Sequence, residues 1–127
     1  MTYQEILNLN GYEFRDYLER NHLSIPYSVS EGEDYSMISD MLIASTNSIT
    51  ELSSILSLAK LEVRRYKASG DKEKYAEFID KRDITEVYLT ACVHTNKTVS
   101  RLITLKQMEL SELNMCEYRK ERRGYDA

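Results

Sequence analysis

Residues 38–66, ISDMLIASTNSITELSSILSLAKLEVRRY, decide the fold of this 127-residue chain. Mostly apolar positions recur there at alternating steps of four and three residues: Ile38, Leu42, Ser45, Ile49, Leu52, Leu56, Ala59, Val63 and Tyr66. This spacing places the set along one side of an α-helix and is typical of helices that pack side by side, as in a coiled coil. The sequence therefore predicts a long helix whose buried positions include Ile49, Leu52, Leu56 and Val63.

A stop signal follows this helix at Ala68-Ser-Gly-Asp71. Gly70 readily adopts the left-handed conformation that ends a helix, and the Asp71 side chain can cap the first turn of the next helix. A second stretch with helical spacing then runs from Lys72 towards Arg119. Two rods joined by a tight turn fold back on one another, so we expect an antiparallel helical hairpin. Its second helix is predicted to bury Leu89, Val99 and Ile103.

Further capping patterns predict where additional helices begin or are interrupted. Asp83 with Glu86 forms a possible capping pair, which predicts a kink or a break in the second rod. At the front, Thr2 with Glu5 and Asn10 with Glu13 fit the same arrangement and predict two short helices, with Gly11 between them. Residues 22–34, which contain Pro26 and Gly32, are predicted to form a loop or extended connector.

The predicted architecture is a single all-α domain. Residues 1–33 form the short helices and the connector, and residues 34–120 form the hairpin, with its turn at 68–71. Apolar residues also lie outside the seam and need cover, which the N-terminal helices supply in part. Homo-oligomerisation is expected to cover the rest. The apolar positions in question are Met41, Ile43, Ile55, Leu58 and Leu61.

Composition and charge exclude several classes of protein. The chain has 42% hydrophobic and 30% charged residues, two cysteines and no apolar run long enough to cross a membrane. The start of the chain has no signal-peptide pattern, so a soluble, cytoplasmic protein is expected. The net charge of −4 argues against a generally basic nucleic-acid binder, but residues 1–50 hold eight acids against two bases. The remaining residues, with 13 acids and 15 bases, can therefore carry a basic surface.

No sequence pattern indicates an enzyme, a cofactor or a metal site. Cys92 and His94 resemble a nucleophile pair, but residues two apart on a helix point in different directions. We therefore expect Cys92 in the helical seam and His94 towards its edge. Asn96 also falls near the seam, where a lone Asn most often fixes helix register or oligomeric state.

Basic residues cluster around the predicted turn. Lys60, Arg64 and Lys67 recur at helical spacing and are expected to share a face, with Arg65 and Tyr66 beside them. Basic side chains with a neighbouring aromatic can hold a single DNA strand through its phosphates and bases. The alternative is a mixed-charge solvated surface, because Glu62 and other acids are interspersed.

The turn sequence LEVRRYKASGD (residues 61–71) resembles that of phage recombination mediators of the UvsY type. The similarity extends over about residues 40–113 and includes the stretches 77–83 and 97–108. It implies a homo-oligomer in the host cytoplasm that binds single-stranded DNA and helps to load a recombinase onto strands covered by single-strand-binding protein. Lys60, Arg64 and Arg65 match the family's DNA-contacting basic positions.

Two other functions remain open. A small acidic protein of a phage or mobile element can bind and inhibit a host defence protein, such as a CRISPR effector or nuclease. Acidic residues within 31–40, among them Glu31, Glu33 and Asp34, and exposed tyrosines would then supply the contacts. The same oligomerising rods would also serve a structural component of a virion.

Overall fold

A computed structural model describes residues 1–22 and 34–125, with side chains described as far as residue 116. The described chain forms four helices: α1 (Tyr3–Leu7), α2 (Gly11–His22), α3 (Tyr35–Ser69) and α4 (Lys72–Tyr125). No strand occurs in these two ranges, which confirms the all-α prediction. The predicted connector falls almost entirely on residues 23–33, outside the described residues.

The hairpin turns where the sequence predicts it. Gly70 has a φ of 75°, in the left-handed region, and its N–H donates to the Tyr66 carbonyl at 3.1 Å. Asp71 Oδ1 accepts a hydrogen bond from the Lys74 N–H at 3.1 Å and so caps the start of α4. α3 and α4 therefore run antiparallel and form the main packing interface of the protein.

The seam of α3 is buried as its spacing predicts. Leu52, Leu56 and Val63 of α3 are buried, and Val99 of α4 is fully buried. Ile49, Leu89 and Ile103 are only half-buried, because they pack against the core from its edge. These three side chains are therefore mostly shielded from solvent, although they are less buried than Leu52 and Val99.

The sequence predicted a kink or a break at Asp83, and the break does not occur, because α4 continues as one helix through this position. Thr85 and Cys92 on the next turns are buried, so the packing against the rest of the protein continues past position 83. The Asp83 carboxylate accepts hydrogen bonds from its neighbour Arg82 at 2.9 and 3.1 Å and does not cap a helix.

The two short helices cap themselves and cover one side of the hairpin. Thr2 Oγ1 accepts from the Glu5 N–H at 3.1 Å, and Asn10 Oδ1 accepts from the Glu13 N–H at 2.8 Å. Gly11 is the first residue of α2, so it does not separate the helices as predicted. α1 packs on α3 and α2 packs on α4. Their apolar residues join the main core: Ile6, Leu7, Phe14 and Leu18.

Lys81 fastens these helices to the hairpin. Its side chain is only 2% exposed, and its ammonium lies over the rings of Phe14 and Phe78. Lys81 Nζ donates to the carbonyl oxygens of Leu7 at 2.7 Å and Leu9 at 2.5 Å. These carbonyls lie at and just beyond the C-terminus of α1, where helices leave such groups unpaired. A lysine of α4 therefore satisfies the end of α1.

Candidate nucleic-acid interface

An open groove runs between α3 and α4 near the turn. It has a volume of about 420 Å³ and is lined by Lys60, Val63 and Arg64 from α3 and by Arg82 and Glu86 from α4. Lys60 and Arg64 lie one helical turn apart, about 6 Å along the axis. α1 and α2 contribute no residue to this lining. We call these five residues the basic groove.

The basic groove carries an excess of positive charge. Lys60 and Arg64 are exposed and make no ion pair or side-chain hydrogen bond with any described residue. Arg82 is paired with the adjacent Asp83 at 2.9 Å, and Glu86 is the acidic member of the lining. Two cations without a direct partner among the described residues therefore face solvent at a groove of a protein whose overall charge is −4.

The structure separates the five predicted DNA-binding residues. It brings Lys60 and Arg64 together, whereas Lys67 borders a second cleft at the tip of the hairpin. Arg65 is not part of the groove lining, because one residue along a helix is a rotation of about 100°. Its guanidinium instead lies 3.6 Å from the carboxylate of Glu62.

Tyr66 is used mainly for packing. Its ring stacks on Phe78 at a centroid distance of 5.3 Å, and the guanidinium of Arg65 lies 5.5 Å from its centroid. The remaining edge of Tyr66 lines the tip cleft beside Lys67, Lys72 and Tyr75. Tyr66 therefore has little free ring face for a nucleotide base.

Arg82 lines the groove, although the basic cluster predicted from the sequence does not include it. The position of the turn predicts that Arg82 lies near Lys60. Lys60 lies ten residues before Gly70, and Arg82 lies twelve residues after Gly70. Antiparallel helices place such positions opposite each other. Asn96 confirms this register, because its Nδ2 donates to Ser45 Oγ at 3.0 Å and to Thr46 Oγ1 at 3.1 Å across the hairpin.

A second polar cluster, away from the groove, joins α2 to α3. His22 Nδ1 lies 2.9 Å from Ser48 Oγ, and the Tyr17 hydroxyl donates to Glu51 Oε1 at 2.5 Å. His22 Nε2 is buried, lies 3.8 Å from Glu51 Oε1 and has no hydrogen-bond partner among the described residues. Burial lowers the pKa of His22, and Glu51 opposes that shift. Burial together with Glu51 raises the pKa of Tyr17 to about 12.

This cluster is structural in character. His22 and Ser48 are 4% and 5% exposed, so an external substrate has no access to either side chain. Cys92 lies in the core beside it, and burial raises the pKa of its thiol, which disfavours the reactive thiolate. His94 is exposed at the helix edge. The predicted positions, Cys92 in the helical seam and His94 towards its edge, are therefore confirmed.

The described residues contain no cluster of His, Cys, Asp or Glu suited to a metal ion. Nor does any helix in the described part of the chain combine the length and apolar character needed to cross a membrane. Glu31 and Glu33, which the inhibitor hypothesis invokes, lie outside the described residues, and Asp34 is exposed at the start of α3. No protein-family model matches the chain, and no similar curated protein or solved structure was found.

Proposed function

We propose that this protein is a non-enzymatic binder of single-stranded DNA and that the strand lies along the basic groove. The observation that carries the proposal is the pair of unpaired cations, Lys60 and Arg64, at a groove that α1 and α2 leave open. Cations in such a groove attract phosphates and release the counterions condensed on DNA. The tip cleft at the turn holds further basic and aromatic side chains, Lys67, Lys72 and Tyr75.

Binding by one copy is expected to be weak. Asp83 neutralises Arg82 and Glu86 lines the groove, so only a few phosphate contacts contribute. Several copies on one strand raise the overall affinity by avidity, without any new contact. The resemblance of residues 61–71 to UvsY-type mediators extends the proposal to recombinase loading, in which clustered copies hold a strand for recombination proteins.

A salt titration of binding to labelled single-stranded DNA tests this proposal. The double variant Lys60→Ala with Arg64→Ala is expected to bind more weakly on every sequence. Its logarithmic salt slope should fall by about 1.4, or about 0.7 for each phosphate that the variant no longer neutralises on a single strand.

The matched control removes two charges from α2, on the covered side of the hairpin. Arg15 pairs with Asp80 and Arg20 pairs with Asp16, both at 3.0 Å and both largely exposed. Arg15→Ala with Arg20→Ala should therefore leave the slope unchanged. Equal reductions in the two double variants would show that only overall charge matters, and absence of wild-type binding at low salt would reject the proposed function.

A further inference from the structure

Because α3 and α4 run antiparallel, the C-terminal part of α4 continues well beyond the N-terminus of α3. The first residue of α3, Tyr35, accepts a hydrogen bond at its hydroxyl from Gln107 Nε2 at 3.5 Å. Residues 108–125 of α4 follow this contact, and they rise about 27 Å at 1.5 Å per residue. Every described side chain from 107 to 116 is exposed. We call residues 108–125 the α4 extension.

The α4 extension exposes large apolar side chains. Met108, Leu110, Leu113 and Met115 are each between 55% and 60% exposed. Leu110 and Leu113 continue the helical stripe whose earlier members, Val99 and Leu102, are buried. An isolated helix of this length is marginal in water, and most helical stability in proteins comes from packing of an apolar face. A covering partner is therefore expected along this stripe.

The charge of the α4 extension indicates what covers it. By sequence, residues 108–116 carry a net charge of −2 from two glutamates, and residues 117–125 carry +2 from four basic and two acidic residues. The same segment of a second copy, running antiparallel, brings each acidic half opposite a basic half. A parallel pair instead opposes like charges, which is unfavourable.

We propose that the α4 extension pairs antiparallel with the α4 extension of a second copy. The interface is two-fold symmetric, so each copy covers the other with the same surface. The two-fold axis passes close to Cys116, which lies at the middle of residues 108–125. The second copy's helix then lies along the part of α4 that α3 does not reach. The interface does not depend on DNA binding, and it places the two basic grooves about 100 Å apart, since each lies some 34 residues from the axis.

Light scattering in the absence of DNA measures the mass of the protein in solution and so tests whether it forms this dimer. The wild type should give twice the chain mass of 14.9 kDa, and Leu110→Glu with Leu113→Glu should give 14.9 kDa. The matched control is Ile43→Glu with Leu61→Glu, whose side chains are 59% and 57% exposed on α3, and it should remain a dimer. A wild-type mass other than the dimer's, a dimeric Leu110/Leu113 variant or a dissociated control would each overturn the interface.

Oxidative cross-linking tests the orientation. Cys116 is exposed and should form a disulfide-linked dimer, seen on a non-reducing gel. In the variant Cys116→Ser with Glu109→Cys, the introduced thiol lies two helical turns from position 116 on the same side of α4, and its two copies lie about 21 Å apart along an antiparallel pair. A disulfide needs Cα atoms within about 7 Å, so this variant should not cross-link. Cross-linking of both proteins would indicate a parallel pair, and failure of the wild type would refute an axis near Cys116.

Discussion

Lys81→Met should weaken the packing of the N-terminal helices on the hairpin. Methionine keeps most of the buried stem but removes the ammonium that serves the carbonyls of Leu7 and Leu9. A buried polar group without its partner costs about 1–3 kcal/mol, so two carbonyls give a loss of about 3 kcal/mol in the free energy of unfolding. That loss is a large part of the roughly 5–15 kcal/mol typical of a domain.

Urea unfolding followed by far-ultraviolet circular dichroism measures the loss, and Lys74→Met is the matched control. Lys81 Nζ also pairs with Glu77, at 3.2 Å. Lys74 pairs with the same carboxylate at 3.4 Å, but its side chain is 51% exposed. Exposed ion pairs contribute between about 0 and 1 kcal/mol, so the control should stay close to the wild type. If Lys81→Met were no less stable than Lys74→Met, the hydrogen bonds of Lys81 to α1 would not stabilise the fold.

Two further predictions concern the core and the His22 cluster. Leu56→Asp should lower the free energy of unfolding by several kcal/mol because it places an unpaired charge in the α3–α4 seam, and wild-type-like melting would contradict that seam. Burial lowers the pKa of His22 in the folded protein, so the unfolded chain binds the proton more readily. The free energy of unfolding should therefore fall as pH drops below the usual histidine pKa of about 6.5. Urea unfolding at about pH 7 and pH 5 should show a smaller loss for His22→Gln than for the wild type, and equal losses would exclude His22 as the source.

Elements that depend only on neighbouring residues can be predicted from the sequence. Helix caps at Thr2, Asn10 and Asp71 form within three residues of the capping side chain, so residue type and spacing suffice to predict them. The left-handed turn at Gly70 and the apolar period of α3 are equally local. The nearness of Lys60 to Arg64 also follows, because residues four apart share a helix face.

The local capping pattern at Asp83 gave a wrong prediction. Asp83 and Glu86 satisfy the capping pattern, yet α4 continues through them because packed residues on both sides keep the chain helical. A capping pattern within a long helix is therefore weaker than the continuity of its buried face.

The tertiary structure alone decided which polar residues are buried and what they contact. The carbonyls that Lys81 serves lie 74 and 72 residues away, and the Tyr66 ring packs on Phe78 from the opposite helix. Arg82 joins the basic groove through the register of the hairpin, and His22 meets Ser48 where α2 crosses α3. Such pairings depend on the rotation and register of packed helices. Close packing of side chains throughout the core sets the rotation and the register of each helix, so the sequence of one helix does not determine them.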